Sequence, residues 1–462
     1  MTEIDASPWQ QLFERLVGKL DQPTSPDWEA QTNTLNPRVY CDLGRFEAEH
    51  EQLFRRLPLC LGHVDQLAEP GAVLAVDLCG TPLLIARGAD RVLRVFLNVC
   101  RHRGARLIAQ QGEVCRRRTF VCPYHAWTYR LDGSLAGLPC AEAFPDLDRN
   151  LLGLTELPST VRHGLIWAKL DPASDGSLDI GGYLGELARD LDAIGLAHHR
   201  FYRQHTVRRA ANWKLIVDAF LEVYHVRRLH SATLGRFFAD AVSVSDAVGR
   251  HLRFLAARDT TSEIRNLPPE VWGPQRHATL VHFVFPNSIF VYHPDYISHL
   301  GMYPDTADQT LFVHTMLTPE MPSEQKAEEH WRRSFELIDT NVFNSEDLVV
   351  CEQIQRGLRS GANEALIVGG LEQNLRRFHS SIEAALEADP RVKVPPIVFG
   401  LTPTSHGMPN NRFATVPEVG RFQEGRETPS LARAIVSNGR WSISSSVFPR
   451  ARPMWIAPFC TA

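Results

Sequence analysis

The sequence predicts an α+β protein: a small antiparallel β domain followed by a larger domain whose antiparallel sheet is flanked by helices. Three observations carry that prediction. Short β-type runs (AVLAVDL, TPLLIARG, RVLRVFLNV, RTFVCPY, HGLIWAKL) crowd the segment from Leu61 to Leu170, separated by Gly, Asp and Pro turns. A second strand-rich stretch, 279–319, lies between segments that read as helical, 180–235 before it and 323–340 and 346–386 after it. The 462 residues are enough for two domains with cores of their own.

Residues 1–45 read as an N-terminal arm with one short helix around Trp9–Leu20. FEAEHEQLFRRL (46–57) has helical spacing and opens the first domain, 46–170, in which Asp132-Gly133 marks a hairpin. The second domain spans 171–389. Beyond Asp389 the periodicity fades, and 390–462 reads as a mostly disordered tail. Hydrophobic content of 44% and charged content of 22% are those of an ordinary soluble protein. A net charge of −4 gives no reason to expect nucleic acid or an acidic membrane as partner. The longest apolar runs are too short to span a bilayer, and the acidic N-terminus lacks the basic region of a secretory signal. Nine irregularly spaced cysteines argue against a disulfide framework, so the cytoplasm is the expected compartment.

Four of the chemistry-bearing residues stand in two short segments, CRHRGARL (100–107) and CPYHAWTY (122–129). Thiolate and imidazole suit either zinc or an iron–sulfur cluster. Zinc sites usually pair Cys with Cys and His with His, whereas here Cys100 pairs with His102 and Cys122 with His125. A Rieske [2Fe–2S] cluster divides its ligands in this way, two thiolates on one iron and two imidazoles on the other. A structural zinc knuckle is the competing reading. The other cysteines (41, 60, 79, 115, 140, 351 and 460) read as loop thiols.

Downstream, NWKLIVDAFLEVYHVRRLH (212–230) carries Glu222, His225 and His230. Glu222 and His225 are three apart, as neighbours on one helical face are, which suits a carboxylate holding the second nitrogen of a ligating imidazole. His225 and His230 are five apart, so the helix must end or distort between them, for example by a π-type turn, to bring both to one ion. Two His on a helix are, by themselves, more often core or surface residues. In FNSEDLVVCEQIQRGLRSG (343–361), Asn344 or Ser345 is placed to cap a helix, with Glu346 and Asp347 in its first turn.

Together these segments resemble the Rieske-type non-haem iron oxygenases, specifically the large (α) subunit of the aromatic-ring-hydroxylating dioxygenases, over roughly residues 38–386. C-x-H-R-G followed by C-P-Y-H-G-W is the family's cluster signature; here Ala126 replaces the second Gly, and 19 residues separate His102 from Cys122. N-W-K … E-x-Y-H-x4-H and E-D-x4-E-x2-Q-R-G-L are similar to its mononuclear iron motifs. The resemblance implies Cys100, His102, Cys122 and His125 as cluster ligands. It implies His225, His230 and Asp347 as a 2-His-1-carboxylate triad for Fe(II), with Glu346 the less favoured carboxylate. Glu222 takes the place of the acidic residue that reaches toward the cluster of a neighbouring subunit.

The family further implies a reductase or ferredoxin fed by NAD(P)H, O2, a small organic substrate, and a ring of subunits such as a homotrimer, with or without a β subunit. The expected activity is oxygen insertion into an aromatic substrate, as in aromatic hydrocarbon catabolism. Oxidative N- or O-demethylation, or attack on a quaternary ammonium compound, is the alternative. Glu rather than Asp at 222 resembles the members acting on quaternary ammonium compounds, although no set of aromatic or acidic cage residues is legible. An electron-transfer or zinc-structured protein without oxygenase activity is the alternative of another class. Phe220 and Leu221, with apolar residues of 281–293, are candidate pocket walls, although Phe283, Phe285, Phe290 and Tyr292 read equally well as sheet core; His282, His293 and His299 are expected to be structural or exposed.

Overall fold

The first domain is three small antiparallel sheets. The largest places Ala72–Leu78 between Thr81–Arg87 and Val114–Arg116, with Leu93–Leu97 and Glu156–Leu157 beyond Thr81–Arg87. Leu59–His63, Leu165–Ala168 and Ser159–Arg162 form the second; Thr119–Val121, Thr128–Arg130 and Leu135–Gly137 form the third. The Asp-Gly signal holds: Gly133 (φ +86°) makes the turn between the last two strands. The computed structural model describes residues 9–20, 32–174, 177–264, 267, 274–388 and 400–401.

The second domain is built on a seven-stranded antiparallel sheet, in the order Arg200–Arg209, Gln309–Thr318, Ile297–Thr306, Ser288–Tyr292, Ala278–Val284, His251–Arg258, Phe238–Val248. Both faces are covered. Phe254, Val281, Phe283 and Ile289 point into one apolar cluster, and their neighbours Leu255, Leu280 and Phe290 into another, the period-two alternation of a strand. Helix Gln10–Lys19 covers the second face with Leu12, Phe13, Leu16 and Val17, so the predicted arm helix is part of the second domain's core.

Several expectations are corrected. The segment 180–235 is not mainly helical, because Arg200–Arg209 is the sheet's edge strand; its polar, half-exposed side chains hide the strand signal. Two further strands, Phe238–Val248 and His251–Arg258, lie outside the predicted stretch. The span 346–386 is two helices, Leu348–Leu358 and Gln373–Glu387, separated by a turn at Gly361 (φ +68°) and a short strand, Leu366–Val368. Cys115 is in a strand opposite Val73, Cys60 and Cys351 are buried in a strand and a helix rather than in loops, and Cys79 is in a turn as expected but buried. Of the expected tail, Gly400–Leu401 pairs with Asn33–Thr34; the rest, Cys460 included, lies outside the described residues.

One apolar cluster joins the domains: Leu74, Leu83 and Ile85 from the first pack with Trp213, Phe283, Phe312 and Phe378 from the second. A large apolar junction of this kind holds two domains in one relative position. A buried ionic knot reinforces it. Glu49 accepts from Arg45 (2.8 Å), from the Trp213 indole (3.1 Å) and from Lys214, all within the core. Glu49→Ala strands the buried Lys214 ammonium and leaves Arg45 with Glu383 alone; it is expected to lower unfolding stability by about 3–5 kcal/mol, measured by denaturant titration.

Candidate active site

The two Cys/His loops are near copies of each other. In each, the cysteine carbonyl accepts the N–H of the residue four positions on: Gly104 to Cys100 and Ala126 to Cys122, both at 3.0 Å. Both donors have left-handed backbones, φ +75° for Gly104 and +55° for Ala126. Glycine takes that conformation freely, whereas alanine is strained by its Cβ. Ala126→Gly is therefore expected to stabilise the protein by about 0.5–1 kcal/mol, read as a raised denaturation midpoint.

The loops bring Cys100 and Cys122, both buried, together with His102 and His125, whose rings lie 4.7 Å apart. His102 stacks on Trp127 at 4.8 Å and 4°. Two supporting groups escaped the sequence reading. Asn98 ties down the first loop by accepting from Leu107 N (3.0 Å) and Ile108 N (3.1 Å) and donating to Ile108 O (2.8 Å). The Tyr129 hydroxyl lies 3.2 Å from Cys100 Sγ and accepts from Arg101 N (3.0 Å). The thiols and imidazole faces are thus half of a cage, and His125 Nδ1 is buried in it with no hydrogen-bond partner among the described residues.

The second constellation starts at helix Trp213–Phe220, capped by Asn212, whose side chain accepts from Lys214 N. The helix ends at Leu221, earlier than the sequence suggested, so Glu222 and His225 do not share a helical face. Glu222 instead closes a turn, its carboxylate accepting the backbone N–H of Tyr224 and His225. His225 and His230 then flank a single helical turn, Val226–Leu229. Gly235 packs against that turn: a Cβ there would fall 2.9 Å from the carbonyl oxygens of both Val226 and His230.

Asp347 arrives from the opposite side. It ends a π-helix, Glu336–Asp347, that runs without interruption into Leu348–Leu358, so Asn344 and Ser345 do not begin a helix as expected. The π-type distortion anticipated between the histidines is found here, under the carboxylate. Asp347 Oδ1 lies 3.5 Å from His225 Nε2 and 3.2 Å from His230 Nε2. The outer nitrogens face carboxylates: His225 Nδ1 donates to Glu222, and His230 Nδ1 donates to Glu346 Oε2 at 2.6 Å. Glu346, weighed against Asp347 from sequence, thus holds the imidazole from behind, helped by Thr233 Oγ1 at 2.9 Å.

That arrangement has one physical consequence. Carboxylates only accept, so each Nδ1 carries the hydrogen and each Nε2 presents a lone pair. Two lone pairs and the carboxylate oxygen of Asp347, which has no hydrogen-bond donor among the described residues, therefore converge on one point, their atoms within 4.8 Å of one another. Three acceptors facing each other repel unless a cation sits among them. Burial opposes the charged imidazoles, yet the surrounding carboxylates outweigh it and raise both pKa values, the same attraction for positive charge.

A cavity of about 460 Å³ opens beside His225 and Asp347. Its wall is not the expected one. Phe220 stacks on Phe312 and meets Phe343 edge-to-face, and Leu221, Phe283, Phe285, Phe290 and Tyr292 are core. His282 and His299 are buried structural groups, and His293 is half-buried against Ser298 and Tyr296. The polar wall is instead Tyr40, Asp218, Glu222 and Glu372, opposite aliphatic residues of Leu348–Leu358 and Leu366–Val368.

Residues 58–156 match the family described as Rieske [2Fe-2S] domain, and 196–388 match Ring hydroxylating alpha subunit (catalytic domain). The carnitine monooxygenase oxygenase subunit of Acinetobacter pittii is 30% identical over 336 residues, covering 70% of this chain and 85% of that protein. The chain belongs to the Rieske-type non-haem iron oxygenases. The biphenyl 2,3-dioxygenase α subunit of Rhodococcus jostii is 30% identical over 243 residues, about half of each chain (49%). Among solved structures, a quaternary ammonium Rieske monooxygenase with L-carnitine has a TM-score of 0.63 at 24% identity, covering 78% of this oxygenase and 96% of that chain. Naphthalene 1,2-dioxygenase from Rhodococcus sp. has a TM-score of 0.65 at 20% identity, covering 82% and 98%.

This oxygenase component accordingly works with a [2Fe–2S] cluster, a mononuclear iron and electrons from a reductase partner. The residues present fit both groups. The unpartnered His125 Nδ1 beside two buried thiols suits the cluster, and the three converging acceptors suit a divalent cation. Among the described residues no helix is long and apolar enough to cross a membrane.

Proposed function

We propose that this oxygenase is a monooxygenase of quaternary ammonium compounds, with Cys100, His102, Cys122 and His125 holding the cluster and His225, His230 and Asp347 the iron. The observation that carries the substrate class is the charge of the cavity. Asp218, Glu222, Asp347 and Glu372 line it, and among the described residues no Lys or Arg does. Burial, with Glu222 and Asp218 adding to it, raises the Glu372 carboxyl above its usual range, so a cationic ligand relieves the crowding. A plain aromatic hydrocarbon offers these carboxylates nothing. The relatives named as carnitine and glycine betaine monooxygenase subunits support the same class.

When bound, the iron supplies O2 activation next to the cavity. Glu222 and Glu346 hold the two imidazoles so that both Nε2 atoms face inward, and the aliphatic wall limits water around the substrate. A C–H bond beside the nitrogen is replaced by C–OH; the second oxygen atom leaves as water, consuming two electrons from NAD(P)H through the reductase and two protons. The hydroxylated product then breaks its C–N bond, giving an aldehyde, a tertiary amine and a proton. In this reading the subunits form a ring, with His125 of one facing Glu222 of the next. The half-exposed ring of Tyr124 beside His125 supports a contact there.

Turnover under ¹⁸O2 with a reductase tests the substrate class. One ¹⁸O atom in the aldehyde and release of the tertiary amine are expected. A cis-dihydrodiol from an aromatic substrate, with no reaction on any quaternary ammonium compound, refutes it.

A further inference from the structure

Asp218 lies in helix Trp213–Phe220, seven residues before His225, and its two oxygens are in different situations. Oδ2 accepts from the Tyr40 hydroxyl at 2.6 Å and from His379 Nε2 at 3.1 Å. Oδ1 has no hydrogen-bond partner among the described residues, although the residue is only 7% exposed and lines the cavity. Leaving a buried carboxylate oxygen unmatched costs free energy, and the fold does not escape that cost by turning the group away, because Tyr40 and His379 hold it. The carboxylate is thus fixed at the cavity wall, where a cation entering the cavity would balance its charge. The opposite wall is aliphatic: Val350, Ile354 and Leu358 from one helix, and Leu366 and Ile367 from the short strand. Ile354 and Ile367 remain 41% and 62% exposed, an apolar rim whose polar member is the uncharged amide of Asn363.

We infer that the substrate is an ammonium cation on a hydrocarbon chain without a carboxylate, its head held against the Asp218 carboxylate and its chain along Val350, Ile354 and Ile367. The inference rests on the cationic-substrate reading and narrows it. A zwitterion such as carnitine or glycine betaine needs a cation for its own carboxylate, and among the described residues the lining of this cavity has four carboxylates and no Lys or Arg. Asp218 is the specificity-determining residue; Tyr40 and His379 position it.

Calorimetric titration of the iron-loaded protein with four probes tests this. Choline and its neutral carbon isostere, 3,3-dimethylbutan-1-ol, differ only in charge; hexyltrimethylammonium and L-carnitine differ in hydrocarbon against carboxylate. Choline is expected to bind about ten-fold more tightly than the isostere, the usual worth of one charge-assisted contact. Hexyltrimethylammonium is expected to bind about ten-fold more tightly than choline, as two buried methylenes provide, and carnitine most weakly. Asp218→Asn should weaken choline about ten-fold and leave the isostere unchanged, which also shows the variant is folded. Carnitine binding as tightly as hexyltrimethylammonium overturns the inference while leaving the cationic reading intact. Equal affinity for choline and its isostere, or no binding of any cation, overturns both. Equal losses for both probes in Asp218→Asn overturn the role of Asp218.

Discussion

Replacing Asp347 with Ala is expected to lower the iron content from about three atoms per chain to about two, while the EPR signal of the reduced cluster persists with an average g below 2. His225→Ala should do the same. The reason is geometric. His225 and His230 alone leave a two-ligand site, and the two Nε2 lone pairs no longer share a carboxylate 3.5 and 3.2 Å away. Coupled product formation should fall to background in both variants. Glu346→Gln should be milder, because it keeps the triad and weakens only the grip on His230 Nδ1 at 2.6 Å; a loss of about 10–100-fold in iron affinity is expected. If iron stays at three per chain in His225→Ala and Asp347→Ala, the triad is wrongly assigned.

Cys122→Ser removes the other metal group. The expected protein is colourless, lacks labile sulfide, and carries about one iron per chain, with electron uptake from the reductase abolished. Cys122 is buried in a loop closed by its own N–H to Trp127 O (2.8 Å), so a serine fits the space but is a poor ligand for iron that favours thiolate. A substrate analogue should still bind, since the cavity is built from other elements. Tyr129→Phe is the gentle companion: it removes the hydroxyl 3.2 Å from Cys100 Sγ, keeps the cluster, and shifts its potential downward. A Cys122→Ser protein that retained sulfide and colour would require a different ligand set.

Much of the candidate site was legible because its ligands come in short local groups. Cys100 with His102, Cys122 with His125, and His225 with His230 each sit within five residues, so spacing alone carries chemical meaning. Asp347 needed the resemblance, since an acidic residue near a helix start reads equally well as a favourable first-turn charge. The part played by Glu346 was illegible for a different reason: its partner, His230, is 116 positions away. The same holds for the cavity's charge, where Asp218 meets Tyr40 across 178 positions and His379 across 161.

The fold divides along the same line. Strands with both faces buried, such as Ala278–Val284, announce themselves as apolar runs. The edge strand Arg200–Arg209, with its polar side chains half in water, does not, although pairing with Gln309–Thr318 makes it a strand. By itself, then, the sequence determined the chemistry: two metal groups, with local Cys, His and acidic residues at ligand spacing as their candidates. Only the tertiary structure decided the surroundings: which carboxylate holds an imidazole and which faces the metal, and that the cavity beside them is anionic. Ligand spacing is a property of a few bonded neighbours, whereas the charge of a cavity is a sum over residues that only folding brings together.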